Sequence, residues 1–143
     1  MSAAIVEIAD AVVADLQAHT FSQPFSAQRS YLPRYRLEEL TDVRVTVVPK
    51  DDVSQRASRS QWQSDYKLDL AIQQRLGADE LAQMDGLILL GQELADYFKS
   101  HNPPGNVATL VEVAFAPLFD PDHLEKHKTL TTVINLTFRG WRS

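Results

Sequence analysis

The sequence predicts an α+β fold: a mainly antiparallel sheet of about five strands with two main helices packed on it. The predicted elements run helix, three strands, helix, two strands, and this order has more strands than an alternating βαβ pattern produces. Most strand segments alternate apolar and polar residues, which is typical of a sheet with one face exposed to solvent. The length of 143 residues suits one domain. We therefore expect a single domain over residues 1–143.

Two segments have the 3.6-residue periodicity of helices that bury one face. In the first, Ser2 is the predicted N-cap, and apolar residues recur from Ile5 to Leu16. In the second, Asp79 is the predicted N-cap, and apolar positions recur from Leu81 to Phe98 before the helix-breaking string HNPPG.

Five segments have the alternation and the β-branched or aromatic residues of strands. The second of them is the valine-rich VRVTVV, which we expect Pro49 to stop because proline cannot donate to a strand ladder. By residue number the predicted strands are 25–31, 43–48, 66–72, 109–116 and 130–138.

The polar segment 49–64, between the second and third strands, is predicted to be a long loop. Residues 50–64 contain no aliphatic side chain beyond Val53 and Ala57, and one aromatic, Trp62. Such a segment cannot order itself by burial, and long structureless connections inside a domain are usually functional or disordered. Arg and Trp are enriched at interface anchors. We therefore expect this loop to become ordered against a partner, with a mobile surface hairpin as the alternative.

The composition disfavours several classes of protein. The chain has no cysteine, which excludes disulfides, thiolate nucleophiles and cysteine-ligated metals. Its net charge of −5 argues against a protein that mainly holds DNA phosphates. The longest apolar run, GLILLG, is far shorter than the roughly 20 residues that cross a bilayer. The N-terminus lacks the basic region of a signal peptide, so we expect use in the cytosol and no membrane partner.

The string DPDHLEKH contains the strongest candidate for a metal site. His123 and His127 are four residues apart, but the spacing H-x-E-x-H turns Glu125 away from the face that both histidines share. We expect a polar turn here and no metal, with a metal-dependent hydrolase as a further alternative. No phosphate-binding glycine motif or nucleophile motif occurs, so we expect no catalytic residue and no cofactor.

Several strings resemble those of the tail-terminator, or tail-completion, proteins of long-tailed bacteriophages. They are VRVTVVP, the Arg- and Ser-bearing segment after it, YKLDLAIQQRL, the long helix with its proline break, and DPDHLEKHKTLTTVINLTFRGW. The resemblance covers nearly the whole chain. It implies a structural α+β subunit, not an enzyme, that forms a homohexameric ring at the head-proximal end of the tail. The ring ends tail-tube polymerisation and joins the tail to the neck or head connector.

The resemblance also implies partners and a location. The partners are further copies of the chain, the tail-tube protein, and a neck or head-completion protein, in a virion assembled in the host cytoplasm. Six copies of a chain with net charge −5 carry about −30. DNA is therefore expected to pass through a negative channel without specific binding. A head-completion or other neck protein of the same joint, and a small non-viral binding adaptor, are the alternatives.

Finally, the resemblance implies interface residues. Segment 49–64 matches the long inter-strand arm that contacts neighbouring subunits or the tube in this family, and the end of the last strand could make ring or neck contacts. Trp141 has an equal alternative role, which is to seal the end of the sheet. The predicted interface residues are Lys50, Asp51, Asp52, Arg56, Arg59, Trp62, Arg139, Trp141 and Arg142.

Overall fold

A computed structural model of the chain describes residues 3–31, 40–101, 108–115, 121, 125 and 128–142. Within these residues the elements are, in chain order, α1 (Ala4–Ala18), β1 (Ser26–Arg29), β2 (Arg44–Arg56), β3 (Trp62–Arg75), α2 (Glu80–Ser100), β4 (Thr109–Ala114) and β5 (Thr129–Arg142). The sites predicted from Ser2, His123 and His127 lie outside the described residues.

The five strands form one sheet in the order β1-β2-β3-β5-β4. β1 runs parallel to β2, and the other neighbouring pairs are antiparallel. The predicted α+β class, with a mostly antiparallel sheet and two helices, is therefore confirmed. β3 is the central strand, and β2 and β5 pair with it along its two edges.

The hydrophobic core lies between the helices and one face of this sheet. The alternate residues Leu68, Leu70 and Ile72 of β3 are fully buried, and they belong to one apolar cluster with side chains from α1 and α2. Full burial of each such side chain contributes about 1.5–3 kcal/mol. This face of the sheet therefore fixes the register of β3 in its buried half.

Both helices begin without a side-chain cap. α1 has Ala3, and not the predicted Ser2, at its N-cap position, and no side chain makes a capping hydrogen bond there. Asp79 is the N-cap residue of α2, as predicted, although its carboxylate makes no capping hydrogen bond. Helix stability here comes mainly from the buried face, as is usual for helices in proteins.

The prediction that 49–64 is a long loop is wrong. β2 continues through Pro49 to Arg56, and β3 already begins at Trp62, so most of the segment is a β-hairpin. Proline does not stop β2 because the pairing of β1 with β2 ends at Val47, so no described residue needs a ladder N–H from position 49. A register shift between Pro49 and Asp51 then marks a β-bulge.

The last strand is also longer than predicted. β5 extends past Phe138 to Arg142, and its last residues pair with the first residues of β3. β4 ends at Ala114, slightly earlier than predicted, and residue 116 lies outside the described residues. The extra length of β5 supports the hairpin along the second edge of β3.

The surroundings of two glycines of α2 predict that replacing each with alanine will change the stability of the protein differently. A Cβ added to Gly91 would lie 2.5 Å from Cζ of Phe115, whereas one added to Gly86 would lie 3.6 Å from Nε2 of Gln23, an ordinary contact. Gly86→Ala should therefore stabilise the protein by about 0.5–1 kcal/mol through helix propensity. Gly91→Ala should be less stable than Gly86→Ala by about 1–3 kcal/mol, because Phe115 must move. Urea unfolding measures both, and equal stabilities would contradict this packing.

Candidate assembly site: an exposed three-stranded arm

One end of the sheet forms a largely exposed projection, which we call the arm, although Ser64 and Gly140 within it are buried. It consists of 50–56 of β2, the turn 57–61, 62–65 of β3 and 139–142 of β5. Every residue from 50 to 62 is exposed. The arm is therefore ordered by strand pairing and cross-strand contacts, without a core of its own.

Two cross-strand pairs hold the hairpin of the arm together. The guanidinium of Arg56 lies 4.7 Å from the ring centroid of Trp62, its register partner, in a cation–π contact. The same guanidinium donates to the carbonyl of Arg59 across the turn, at 3.1 Å. Two register positions further in, the hydroxyls of Ser54 and Ser64 lie 2.9 Å apart. Such pairs each contribute a few tenths to about 1 kcal/mol, so several are needed to order an exposed hairpin.

An ion pair joins β3 to β5 in the arm. Nε of Arg139 donates to Oδ1 of Asp65 at 2.9 Å and Nη2 donates to Oδ2 at 3.3 Å, and the two residues are register partners. The hydrogen bonds from Arg139 hold the pKa of the Asp65 carboxyl below its ordinary value, against the opposing effect of burial. The same bonds raise the pKa of Arg139. Arg139, predicted as an interface residue, therefore helps to build the arm.

The two tryptophans of the chain lie on opposite faces of the arm. Trp62 pairs with Arg142, and Trp141 pairs with Gln63, so strand alternation directs the two indoles to different sides of the sheet. The exposed fractions are 40% for Trp62 and 56% for Trp141. The alternative that Trp141 seals the sheet end is difficult to reconcile with this exposure. Each face of the arm thus presents one large aromatic side chain to solvent.

The base of the arm is charged. Nζ of Lys50 lies 3.3 Å from Oδ2 of Asp69, and this pair borders a shallow depression of about 220 Å³ across β2, β3, β5 and β4. Asp51, Lys67 and Glu112 also line it. Opposite charges are interspersed there, so the depression does not favour a ligand of either sign.

The remaining predicted interface residues are solvent-facing parts of the arm. Asp51 and Asp52 follow the bulge and are exposed, and Arg59 lies in the exposed turn. The side chain of Arg142 lies outside the described residues, although its backbone belongs to β5. The structure thus places residues from two distant stretches of sequence, 50–62 and 139–142, side by side on one projection.

A second concave region, which the sequence did not indicate, lies beside the C-terminal end of α1. The connection between α1 and β1 lines an open depression of about 550 Å³ that includes Phe21 and Phe25. The amide of Gln17, which also lines it, donates to the carbonyl of Ala27 at 3.0 Å, and that of Gln23 donates to Gly86 at 3.1 Å. These polar groups are engaged in holding the connection in place.

The ring of Tyr97 lies close to this connection and is flanked by two imidazoles. The ring centroid of His19 is 4.6 Å from it, and that of His101, which stacks on it, is 4.1 Å from it. Burial, followed by the nearby Asp15 carboxylate, raises the pKa of Tyr97. The cluster joins the end of α1 to the end of α2. We therefore interpret it as a packing element.

Neither helix in the described part of the chain is long and apolar enough to cross a membrane. Among the same residues, no group of three or more His, Asp or Glu side chains is arranged to hold a metal ion.

The chain was compared with protein families and with curated proteins. No family model matches it, and no curated protein shows significant similarity to it.

The ion pair of the arm predicts a pH dependence of stability. Because the folded pKa of Asp65 is lowered, its contribution is complete above the unfolded pKa of about 3.9 and is lost as the pH falls through the folded value. The side chains of Arg139 and Asp65 are 39% and 26% exposed, so the contribution is at most about 1 kcal/mol. Asp65→Asn should therefore lower the free energy of unfolding at neutral pH by up to that amount, and by much less at an acid pH below the folded pKa of Asp65.

Urea unfolding at both pH values measures this difference. Asp51→Asn, which changes an exposed carboxylate of the same arm outside any ion pair among the described residues, is the matched control and should change stability at neither pH. An equal loss in Asp65→Asn at both pH values would contradict the electrostatic role of the pair.

Proposed function

We propose that the chain is a structural virion protein that forms a ring at the head-proximal end of a phage tail. There it ends polymerisation of the tail tube and joins the tail to the neck or head connector. The observation that carries this proposal is the arm, which coincides with the segment that resembles the inter-strand arm of tail terminators. A preformed, exposed projection with an aromatic side chain on each face is suited to contacts between subunits.

A closed ring needs a heterologous contact, in which one patch of a subunit meets a different patch of its neighbour. The two faces of the arm supply different patches. One face carries Trp62 stacked with Arg56, and the other carries Trp141. Each face can therefore be covered by a different neighbour, such as the next subunit on one side and the tail tube on the other.

The net charge fits a channel protein for DNA. Six copies of a chain with net charge −5 give a ring of about −30. A predominantly negative bore repels phosphate, so DNA passes through it without specific contacts. No cofactor or catalytic step enters this proposal.

Electron microscopy tests the location directly. Gold-labelled antibodies against the purified chain, applied to phage particles from the source culture, should mark the junction of tail and head. Negative-stain images of the purified chain mixed with tail tubes should show a ring at one tube end. Label on the neck of tail-free heads would instead identify a head-completion protein, and absence of label from all particles would refute a virion role.

The arm itself is tested by a double variant. Arg56→Ala with Arg59→Ala removes the stacked guanidinium and the exposed turn cation, so we expect at least tenfold weaker association of rings with tube ends, with the core intact. The measurement is co-sedimentation with tubes, and circular dichroism checks the fold.

The matched control is Arg75→Ala with Lys99→Ala, which removes the same charge from exposed positions outside the arm. Equal weakening in both double variants would show that net charge, and not the arm, determines association.

A further inference from the structure

One edge of the arm has open backbone hydrogen-bonding groups. β1 pairs with β2 only from Arg44 to Val47, and the N–H of Ser30 makes the last contact, to the carbonyl of Val47 at 3.0 Å. Beyond that point no described residue pairs with the outer edge of β2, and residues 50–56 are all exposed. As far as the described residues show, this edge is therefore unpaired and exposed.

The ladder shows which residues point outward along this edge. The N–H of Ala57 donates to the carbonyl of Gln61 at 2.9 Å, which makes 57 and 61 a hydrogen-bonded pair. Such pairs alternate along an antiparallel ladder, so Val53 and Gln55 bond inward to β3. The N–H and C=O groups of Asp52, Ser54 and Arg56 then face away from β3. We call this stretch, 52–56, the open edge.

The side-chain contacts support this assignment. Residues in non-hydrogen-bonded pairs have closer side chains than those in hydrogen-bonded pairs. Ser54 and Ser64 are such a pair, and their hydroxyls lie 2.9 Å apart. Arg56 and Trp62 are the next, and they stack at 4.7 Å.

An unpaired edge of this kind is a template for strand addition, and proteins usually protect it with proline, bulges or charge. Pro49 and the bulge at Lys50 protect the base of β2. They leave the open edge itself without a bulge or a proline. Its charges are at its two ends, Asp52 and Arg56, and have opposite sign.

We propose that the open edge pairs with the same edge of a second copy, antiparallel, about a two-fold axis at Ser54. In this register Ser54 meets its own equivalent, and Asp52 of each copy lies opposite Arg56 of the other. About six main-chain hydrogen bonds join the two strands, because each facing pair exchanges two. The two three-stranded arms then form one continuous sheet.

Charge selects the second copy as the occupant and fixes the register. Neither Asp52 nor Arg56 has an ion-pair partner among the described residues. Pairing about Ser54 gives each of them an oppositely charged neighbour on the same face of the sheet, which is stabilising. Shifting the axis to Asp52 or to Arg56 would place like charges opposite each other, which is destabilising. When two copies of 52–56 pair antiparallel, each charge of one copy therefore lies opposite an opposite charge of the other.

The same register leaves existing contacts of the arm in place. Arg56 stays stacked on Trp62, with one face of its guanidinium covered by the ring. Val53, which is 49% exposed, comes to lie beside Gln55 of the partner copy on the opposite face and loses part of its contact with water. The contact is small, so we expect a weak dimer that forms at high micromolar concentration.

This inference does not rest on the proposed function. A two-fold contact closes at two copies, whereas a ring uses a heterologous contact. It concerns the free chain in solution, and its test needs no tail tube. Arg56 takes part in both proposals, whereas Ser54 belongs only to the open edge. Ser54→Pro therefore distinguishes loss of the dimer from loss of ring association with tube ends.

A charge swap tests the proposed register by sedimentation equilibrium. The wild-type chain should show a monomer–dimer equilibrium. Asp52→Arg and Arg56→Asp should each weaken the dimer at least tenfold, since each places like charges opposite each other. The combined variant Asp52→Arg with Arg56→Asp should restore most of the affinity. Asp85→Arg, with the same charge change at an exposed position of α2 outside the arm, is the matched control and should dimerise like wild type.

A proline variant tests the main-chain contact. Ser54→Pro removes an N–H that points to the open edge and has no partner in β3, so the fold should persist and the dimer should be lost. Ser54→Ala removes only the hydroxyl contact with Ser64 and should still dimerise. Circular dichroism and tryptophan fluorescence verify that the arm is intact in each variant.

Three results would overturn the inference. They are a wild-type chain that stays monomeric at all concentrations, a charge-swapped double variant no better than the single variants, and a folded Ser54→Pro protein that associates like wild type. Oligomers of any size that form equally well in all these variants would also contradict the inference.

Discussion

The pairing of β3 on both edges, from Trp62 to Gln73, is the constraint on which the rest of the structure depends. Its 14 residues, Trp62–Arg75, begin in the exposed arm and end in the core. In the core, Leu68, Leu70 and Ile72 must face the helices, because a slip of one residue would turn all of them to the other face. That requirement fixes the orientation of every residue further along the strand. The directions of Trp62 and Asp65 in the arm are therefore determined by packing several residues away.

The helices and the core strands follow from the sequence because burial leaves a periodic pattern. The apolar residues of α1 and α2 recur at helical spacing, and VRVTVV shows the alternation of a strand with one buried face. The arm has no such pattern. Residues 50–62 are all exposed, so this stretch has no apolar alternation, and its order comes from backbone pairing that the sequence does not display. Pro49 strengthened the wrong prediction, because its place on an open edge is a tertiary property.

The candidate site was predictable in composition but not in geometry. Arg56, Trp62 and Trp141 could be chosen from residue type, yet the sequence does not show that Trp141 lies beside the hairpin on the face opposite Trp62. Nor does it show that Arg139 is bonded to Asp65. The structure thus separates the predicted residues into two groups. Arg139 and, in part, Arg56 stabilise the arm itself, whereas Asp51, Asp52, Arg59 and Trp141 face solvent and have their side chains available for a partner.

Because the arm is already ordered before it binds a partner, association costs less conformational entropy. A loop that folds only against its partner must lose backbone entropy at that step, roughly 1–2 kcal/mol for each residue that becomes fixed. In this chain the ladder between β2, β3 and β5 has already fixed those residues. The Arg56–Trp62 pair opposes fraying at the tip of the arm, and the Asp65–Arg139 pair does so at its base. More of the interaction free energy of any partner is then available as affinity. A small contact surface, such as one face or one edge of three short strands, can therefore be sufficient for assembly.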